Sequence, residues 1–224
     1  MGAATSLMKP EFSIDLWQPK TEVGRAVKEG RITSLSEILK AGRPILEPEI
    51  VDALVPNLQQ ELLHLKLVQK MHKSGRRSKY WALVAVGNGE GLVGVGDDKS
   101  REVATAISKA AKVAKQHIVE VVRGCGSWEC GCGRPHSVPF KVTGKSGSVE
   151  IALIPAPRGL GLVAPEIPRT ILRLAGIKDI WIISRGSTKT PVNSAYATLE
   201  ALRQTAKISM PERYRKWAKG GGSG

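Results

Sequence analysis

All three cysteines of the chain fall in one short run, Cys125-Gly-Ser-Trp-Glu-Cys130-Gly-Cys132-Gly-Arg-Pro-His136, with a histidine four residues beyond the last. Three thiolates and one imidazole make a tetrahedral Zn2+ donor set, and the interleaved glycines permit the tight turns that gather four donors. The usual Cys-x-x-Cys knuckle is absent, and a single residue separates Cys130 from Cys132. Two readings stand: a structural metal site of Cys125, Cys130, Cys132 and His136, or free cysteines in a glycine-rich connector. A zinc deaminase is disfavoured, because both His-x-Glu and Pro-Cys-x-x-Cys are missing.

Three stretches imitate phosphate-binding loops. Gly89-Glu90-Gly91-Leu92-Val93-Gly94 fits the dinucleotide fingerprint letter by letter. That motif must lead from a strand into a helix, so that the helix N-terminus meets the pyrophosphate, and here it reads as a hairpin between two strands. Gly144-Lys145-Ser146 echoes the end of a Walker A loop, but the required first glycine falls on Pro139. Pro155-Ala156-Pro157-Arg158-Gly159-Leu160-Gly161 resembles the phosphate loop of small-molecule kinases of the galactokinase and homoserine kinase type. The two serines of that pattern are Leu162 and Val163 here, so no side-chain hydroxyls remain for phosphate or metal. The expectation is a shared fold without ATP chemistry and without a small-molecule substrate. His64, His72, His117 and His136 are scattered, and nothing supports a nucleophile constellation.

Basic residues carry the stronger signal. Lys73, Gly75, Arg76, Arg77, Ser78, Lys79 and Tyr80 form a basic turn between two apolar strands, and arginine binds phosphate in a bidentate fork. Lys109, Lys112 and Lys115 recur at helical spacing. The chain of 224 residues carries 34 Lys and Arg against 20 Asp and Glu, a net charge of +14, which makes a polyanion the first partner to consider. Residues 1–70 are balanced, nine basic against nine acidic; residues 71–150 hold 13 against 7 and residues 151–224 hold 12 against 4. The excess therefore lies wholly after residue 70. Aromatics are few (five Trp, three Tyr, two Phe) and no aromatic sheet motif appears, so shape and backbone recognition of RNA is expected rather than base stacking. A major-groove DNA reader would need a recognition helix or zinc-finger spacing, and neither is seen. In the metal-free reading of the cysteine run, His136 joins the RNA-facing set.

The elements that must position these residues follow from periodicity. Hydrophobic residues make up 42% of the chain, enough for a packed core, and no apolar run approaches the ~18 residues of a membrane span. No secretory signal is read; the start Met1-Gly2-Ala3-Ala4-Thr5-Ser6 fits the short myristoylation pattern, but a single acyl chain binds membranes only marginally, and no membrane partner is expected. A helix is expected over Ser34 to Ala41, with Ser34 and Glu37 as a capping box. Strands are expected over His64–Lys73, Tyr80–Val86 and Leu92–Gly96. A helix from about Arg101 to Val119 then starts behind Asp97-Asp98-Lys99-Ser100, giving β-β-β-α. After the connector, strands over Ser137–Val142 and Ser148–Ile154, a helix over Pro165–Leu174, a strand over Asp179–Ser184 and a helix over Val192–Ala206 give β-β-α-β-α. The divisions are an extension (1–58), a first α/β domain (59–122), a Cys/Gly-rich connector (123–136), a second α/β domain (137–208) and a basic, glycine-rich tail (209–224).

The run from Gly75 to Gly96 resembles the signature of the universal fifth protein family of the small ribosomal subunit, called small-subunit protein two in eukaryotes. Pro155 to Gly161, Leu174-Ala175-Gly176-Ile177-Lys178-Asp179-Ile180, and Gly186-Ser187-Thr188 followed by Asn193 to Leu202 resemble its second half, in order, over about residues 60–206. The extension and the Trp128–Pro135 connector look like the archaeal–eukaryotic branch. The cysteine cluster looks archaeal and lies outside the family's general pattern. The resemblance implies an α+β fold, a double-stranded-RNA-binding-like domain followed by a second small α/β domain of the type shared with those kinases. It implies a non-catalytic, cytoplasmic constituent of the small ribosomal subunit that binds rRNA near the decoding region. It also implies contacts with neighbouring ribosomal proteins at the channel by which mRNA enters, supporting assembly, fidelity and mRNA unwinding. By position, the loop Gly75–Tyr80 would insert into rRNA, and Arg158, Gly159, Gly161 and Arg169 would lie at the interface that influences accuracy. The rival readings are a free duplex-RNA-binding module and a small-molecule kinase.

Overall fold

A computed structural model describes residues 17–207. The tail 209–224 and the myristoylation-like start lie outside the described residues. The chain divides into two compact units, one up to Pro56 and one from Asn57 onward.

In the first unit three short helices form: α1 (Glu22–Lys28), α2 (Leu35–Lys40) and α3 (Pro48–Leu54). Sequence periodicity points only to α2. Ser34 is its N-cap, but its side chain makes no capping bond. Thr21 caps α1 through its hydroxyl, which accepts from the Gly24 N–H, and α3 opens on a proline, whose missing N–H costs nothing at a helix start. Glu47 ties the unit together. Its carboxylate accepts from the Thr21 and Lys20 backbone N–H groups at 2.6 and 2.9 Å and from the Trp17 indole at 3.2 Å. Burial pushes this carboxyl up, but the bonds from Thr21, Lys20 and Trp17 outweigh it and hold the group below its ordinary value.

The second unit opens with β1 (Gln59–His72), β2 (Gly75–Gly87), β3 (Leu92–Ser100), α4 (Val103–Gln116) and β4 (Ile118–Glu120), whose strands form an antiparallel sheet in the order β1-β2-β3-β4. It continues with β5 (Val142–Ser146), β6 (Val149–Pro155), β7 (Leu162–Val163), α5 (Glu166–Leu174), β8 (Ile180–Arg185) and α6 (Pro191–Lys207). The second sheet runs β5-β6-β8-β7, with β7 parallel to β8. The class is the expected α+β, with two short strands, β4 and β7, that sequence reading does not find.

Three local expectations are corrected. Arg76 to Lys79 lie on β2 rather than in a turn, since the β1–β2 ladder continues to His72 opposite Gly75 and leaves Lys73-Ser74 as the loop. Gly75 follows that loop with φ +114°, a conformation that favours glycine. Asp97 to Ser100 belong to β3, and Glu102 is the N-cap of α4. The strand expected at 137–142 instead runs over 142–146, because Ser137 is held in a two-way backbone bridge to Gly124. Gly144 enters that strand because α6 passes directly over it, and a Cβ there would lie 2.2 Å from the Ala197 carbonyl oxygen.

One core spans both sheets. Leu83, Ala85, Val93 and Val95 of the first join Ile151, Leu153, Ile171, Leu172 and Leu202 of the second half. Alternation along β2 sends Ala82, Val84 and Val86 to the other face, the one covered by α4 with its buried Ala106, Ala110 and Ala114. Gly94 and Gly96 let α4 lie against the sheet: a Cβ on either would come within 2.2 Å of the Ala114 backbone. A methyl group added at Gly96 must push α4 away. Gly96→Ala is therefore expected to cost about 1–3 kcal/mol, read as a lower urea midpoint at unchanged slope. An unchanged midpoint would show that the close approach is not needed.

Candidate functional site

The ribbon formed by β1 and β2 outruns the rest of its sheet. β3 ends opposite Tyr80, so residues 75–79 pair only with 68–72. Five residue pairs extend the ribbon by about 17 Å. Every residue from Gly75 to Lys79 is exposed, as are Lys66, Lys70 and Met71.

Register assigns the two faces, since directly paired residues share one. Lys66, Lys70, Arg77, Lys79 and Trp81 lie on one face, and Lys99 of β3 pairs with Trp81 on the same side. Leu65, Leu67, Met71, Arg76 and Tyr80 lie on the other. A bulge at Leu63 sets this sorting: Leu62 pairs with Val84, whereas His64 pairs with Leu83, so the face of every later β1 residue is reversed. Arg76 and Arg77 thus point to opposite sides of the ribbon. Sequence reading missed Lys66 and Lys70, although their alternation with Leu65 and Leu67 is visible; only pairing places them beside Arg77 and Lys79.

The root of the ribbon is braced across the core. The Asp97 carboxylate accepts from the Trp81 indole at 2.8 Å and from the Tyr196 hydroxyl of α6 at 2.5 Å. The Lys99 ammonium sits 4.7 Å from the centre of the Trp81 ring, within cation–π range. Burial, reinforced by the facing Asp97 carboxylate, raises the Tyr196 phenol well above its ordinary value. Lys109 and Lys112 are exposed on α4, and Lys115 is half-buried.

The kinase-like loop has its own occupant. Gly159 and Gly161, with φ of +92° and +78°, turn their N–H groups onto Asp179 Oδ1 at 3.0 and 2.8 Å. A buried carboxylate of the chain thus takes the amides that a phosphate would need. Leu162 and Val163 then enter β7 rather than a helix N-terminus. Arg158 and Gly159 are exposed on the loop, Gly161 is half-buried, and Arg169 is exposed on α5. The dinucleotide look-alike joins β2 to β3, and its Gly89 N–H donates to the Leu174 carbonyl at the end of α5. Gly144-Lys145-Ser146 lies within β5.

The cysteine run folds into a single node. Ligand atoms of Cys125, Cys130, Cys132 and His136 all lie within 4.8 Å of one another. Cys125 and Cys132 sulfurs are 3.6 Å apart, and Cys130 Sγ is 3.8 Å from His136 Nε2. Two sulfurs tetrahedrally bonded to one zinc at ~2.3 Å stand about 3.8 Å apart, so the set fits the ion. The one-residue gap between Cys130 and Cys132 is no obstacle with Gly131 between them, whose Cβ position is open space. Backbone N–H groups of Cys132 and Arg158 aimed at the Cys130 sulfur draw its thiol down to about 6. Desolvation, then the neighbouring Cys132 and Cys130, push Cys125 up to about 11.

His136 leaves the RNA-facing set. It is 6% exposed, its Nδ1 lies 2.9 Å from Asp179 Oδ2, and its Nε2 points to the cysteines. The partnership of His136 with Asp179, 43 residues away, has no signal in the sequence.

With this geometry in view, comparison with known proteins finds two family descriptions: "Ribosomal protein S5, N-terminal domain" over residues 58–122 and "Ribosomal protein S5, C-terminal domain" over residues 144–215. The chain is 54% identical over 202 residues to the small ribosomal subunit protein uS5 of Methanothermobacter thermautotrophicus, covering 90% of this chain and 94% of the relative. It is 54% identical over 205 residues to that of Methanocaldococcus jannaschii (92% and 94% covered) and 57% identical over 192 residues to that of Pyrobaculum calidifontis (86% and 95%).

The Asp97 brace has a pH signature. Tyr196→Phe is expected to lose about 1–2 kcal/mol near neutral pH, one hydrogen bond to a charged acceptor. The folded phenol resists ionisation while the unfolded phenol ionises near pH ~10. The contribution is therefore whole below about pH 10 and drains as pH rises from there toward the raised folded value. Thermal melts of both proteins at pH 8 and pH 11 check this: a gap that stays constant contradicts the assignment.

Proposed function

The chain belongs to the ribosomal protein S5 family, in its archaeal branch, and from that membership we infer that it is a non-enzymatic structural constituent of the small ribosomal subunit, located with the ribosome in the cytoplasm. Its partners are small-subunit rRNA and ribosomal proteins. Its proposed manner of holding rRNA rests on one observation, the exposed β1–β2 ribbon with cations on both faces. Lys66, Lys70, Arg77 and Lys79 on one side and Arg76 on the other meet phosphates across a groove or cleft, and Lys73 lies at the tip. Gly75, Ser78 and Tyr80 supply backbone and hydroxyl contacts. Neutralised phosphates release counterions, which supplies affinity, while the shape of the ribbon sets position. Lys109, Lys112 and Lys115 of α4 provide a second patch.

The finer placement is also our proposal. The ribbon reaches rRNA near the decoding region, while Arg158, Gly159, Gly161 and Arg169 face neighbouring proteins beside the channel by which mRNA enters, supporting fidelity and unwinding. On this reading residues 59–122 are the RNA-facing domain and residues 137–208 the protein-facing one, joined by the connector 123–136. The extension 1–58 and the tail 209–224 are accessory.

The cysteine node completes the reading. Cys125, Cys130, Cys132 and His136 hold one Zn2+ as a structural cross-link of the connector, supported by the donor set and its spacing.

Arg76→Glu/Arg77→Glu should reduce incorporation into small subunits in cells; normal assembly and normal decoding in that variant would show that the ribbon does not carry the RNA contact. For the isolated chain on a small-subunit rRNA fragment, Arg76→Ala/Arg77→Ala should lower the slope of log K against log salt by about 1.4 to 1.8, two phosphate contacts. Release from small subunits during high-salt sedimentation would favour a free duplex-RNA-binding module. Metal analysis should find one zinc per chain, lost on Cys130→Ser; a metal-free protein with all thiols titratable overturns the zinc assignment.

A further inference from the structure

The glycine loop and the cysteine node are not independent. Asp179 is 5% exposed and has both oxygens engaged: Oδ2 with His136 Nδ1 at 2.9 Å, and Oδ1 with the Gly159 and Gly161 N–H groups. Two amides of one loop, those of Gly159 and Gly161, therefore end on the carboxylate that grips the node's histidine. The backbone repeats the linkage. The His136 carbonyl accepts from the Lys178 and Asp179 N–H groups at 2.9 and 3.1 Å, and Ser137 Oγ accepts from the Ala156 N–H at 3.3 Å.

We propose that zinc in the Cys125, Cys130, Cys132 and His136 site sets the conformation of the loop from Pro155 to Gly161, with Asp179 as the positioning residue that transmits it. This rests on the zinc assignment made above. The physical reason lies in how the histidine ring is held, with Nε2 toward the cysteines and Nδ1 on Asp179. Nε2 faces the cysteines, so a metal bound there takes its lone pair and leaves the proton on Nδ1. Nδ1–H then donates to Asp179 Oδ2, the outer hydrogen bond that metal-bound histidines generally make. With Oδ2 held, Oδ1 stays aimed at the two glycine amides, and both positive-φ turns are satisfied. When the metal is removed, Nδ1–H still has Asp179 as its acceptor, but Nε2 loses its ligand and the ring is no longer fixed at both ends. The carboxylate is then bonded to a ring that can move, and the Gly159 and Gly161 amides lose a fixed acceptor. Among the described residues no hydrogen bond joins the exposed β1–β2 ribbon to this network. The metal thus governs the face bearing Arg158 and leaves the rRNA ribbon unaffected.

The test uses the full chain, zinc-loaded and after zinc removal by a chelator, with residue-resolved amide hydrogen exchange. The Gly159 and Gly161 amides should exchange about tenfold or more faster in the stripped protein, while β2 and α4 amides stay unchanged. Asp179→Asn should still take up one zinc per chain, with affinity in a chelator competition lower by about 10 to 100-fold, and should show the fast loop exchange even when loaded. A chain that takes up no zinc overturns both the zinc assignment and the relay. A chain that binds one zinc but exchanges the Gly159 and Gly161 amides equally, loaded or stripped, overturns the relay alone and leaves the zinc site standing.

Discussion

The structure depends on burying β2 on both faces at its root. Residues Ala82 to Val86 are all at most 2% exposed, with α4 on one side and the second half of the unit on the other. An antiparallel strand more often keeps one face in water. Here, closing both faces needs an unusually close approach of backbones, which Gly94 and Gly96 permit. The same constraint makes the exposed end useful. A ribbon clamped over five residues at its base holds its far end in a defined direction, so the cations from Lys66 to Lys79 are presented at low entropic cost.

Charge and packing divide the labour from there. Among the described residues the outer ribbon has no third strand beside it, and its side chains from Gly75 to Lys79 are exposed. The Asp97 carboxylate, shared by Trp81 and Tyr196, locks the base of the ribbon to α6. On the other half of the unit the polar groups turn inward. The loop most like a nucleotide site closes on Asp179, and ligand atoms of the three cysteines and His136 lie within 4.8 Å of one another. A loop that turns its two glycine amides onto its own carboxylate does not offer them to a phosphate.

Much of this can be read from the sequence, and the failures have physical causes. Tyr80 to Val86 is a continuous apolar run rather than an alternating one, which already indicates two-sided burial. The order of elements follows from periodicity, apart from α1, α3, β4 and β7, which are too short to show a pattern. Arg76 to Lys79 look like a turn because the stretch is polar, glycine-led and basic. They form a strand because ladder bonds with β1 outweigh local preference. His136 looks accessible in a glycine-rich connector, yet a bridge between Gly124 and Ser137 folds it inward.

By itself the sequence determined the class of fold, the segregation of positive charge after residue 70, the family signature and the set of metal donors, because each depends on residue type and short-range spacing. Only the tertiary structure decided which face of the ribbon each cation occupies, that one carboxylate serves both His136 and the glycine loop, and that the four donors meet. Those depend on a single bulge at Leu63 and on contacts between residues tens of positions apart, and local sequence carries no energy difference that would select them.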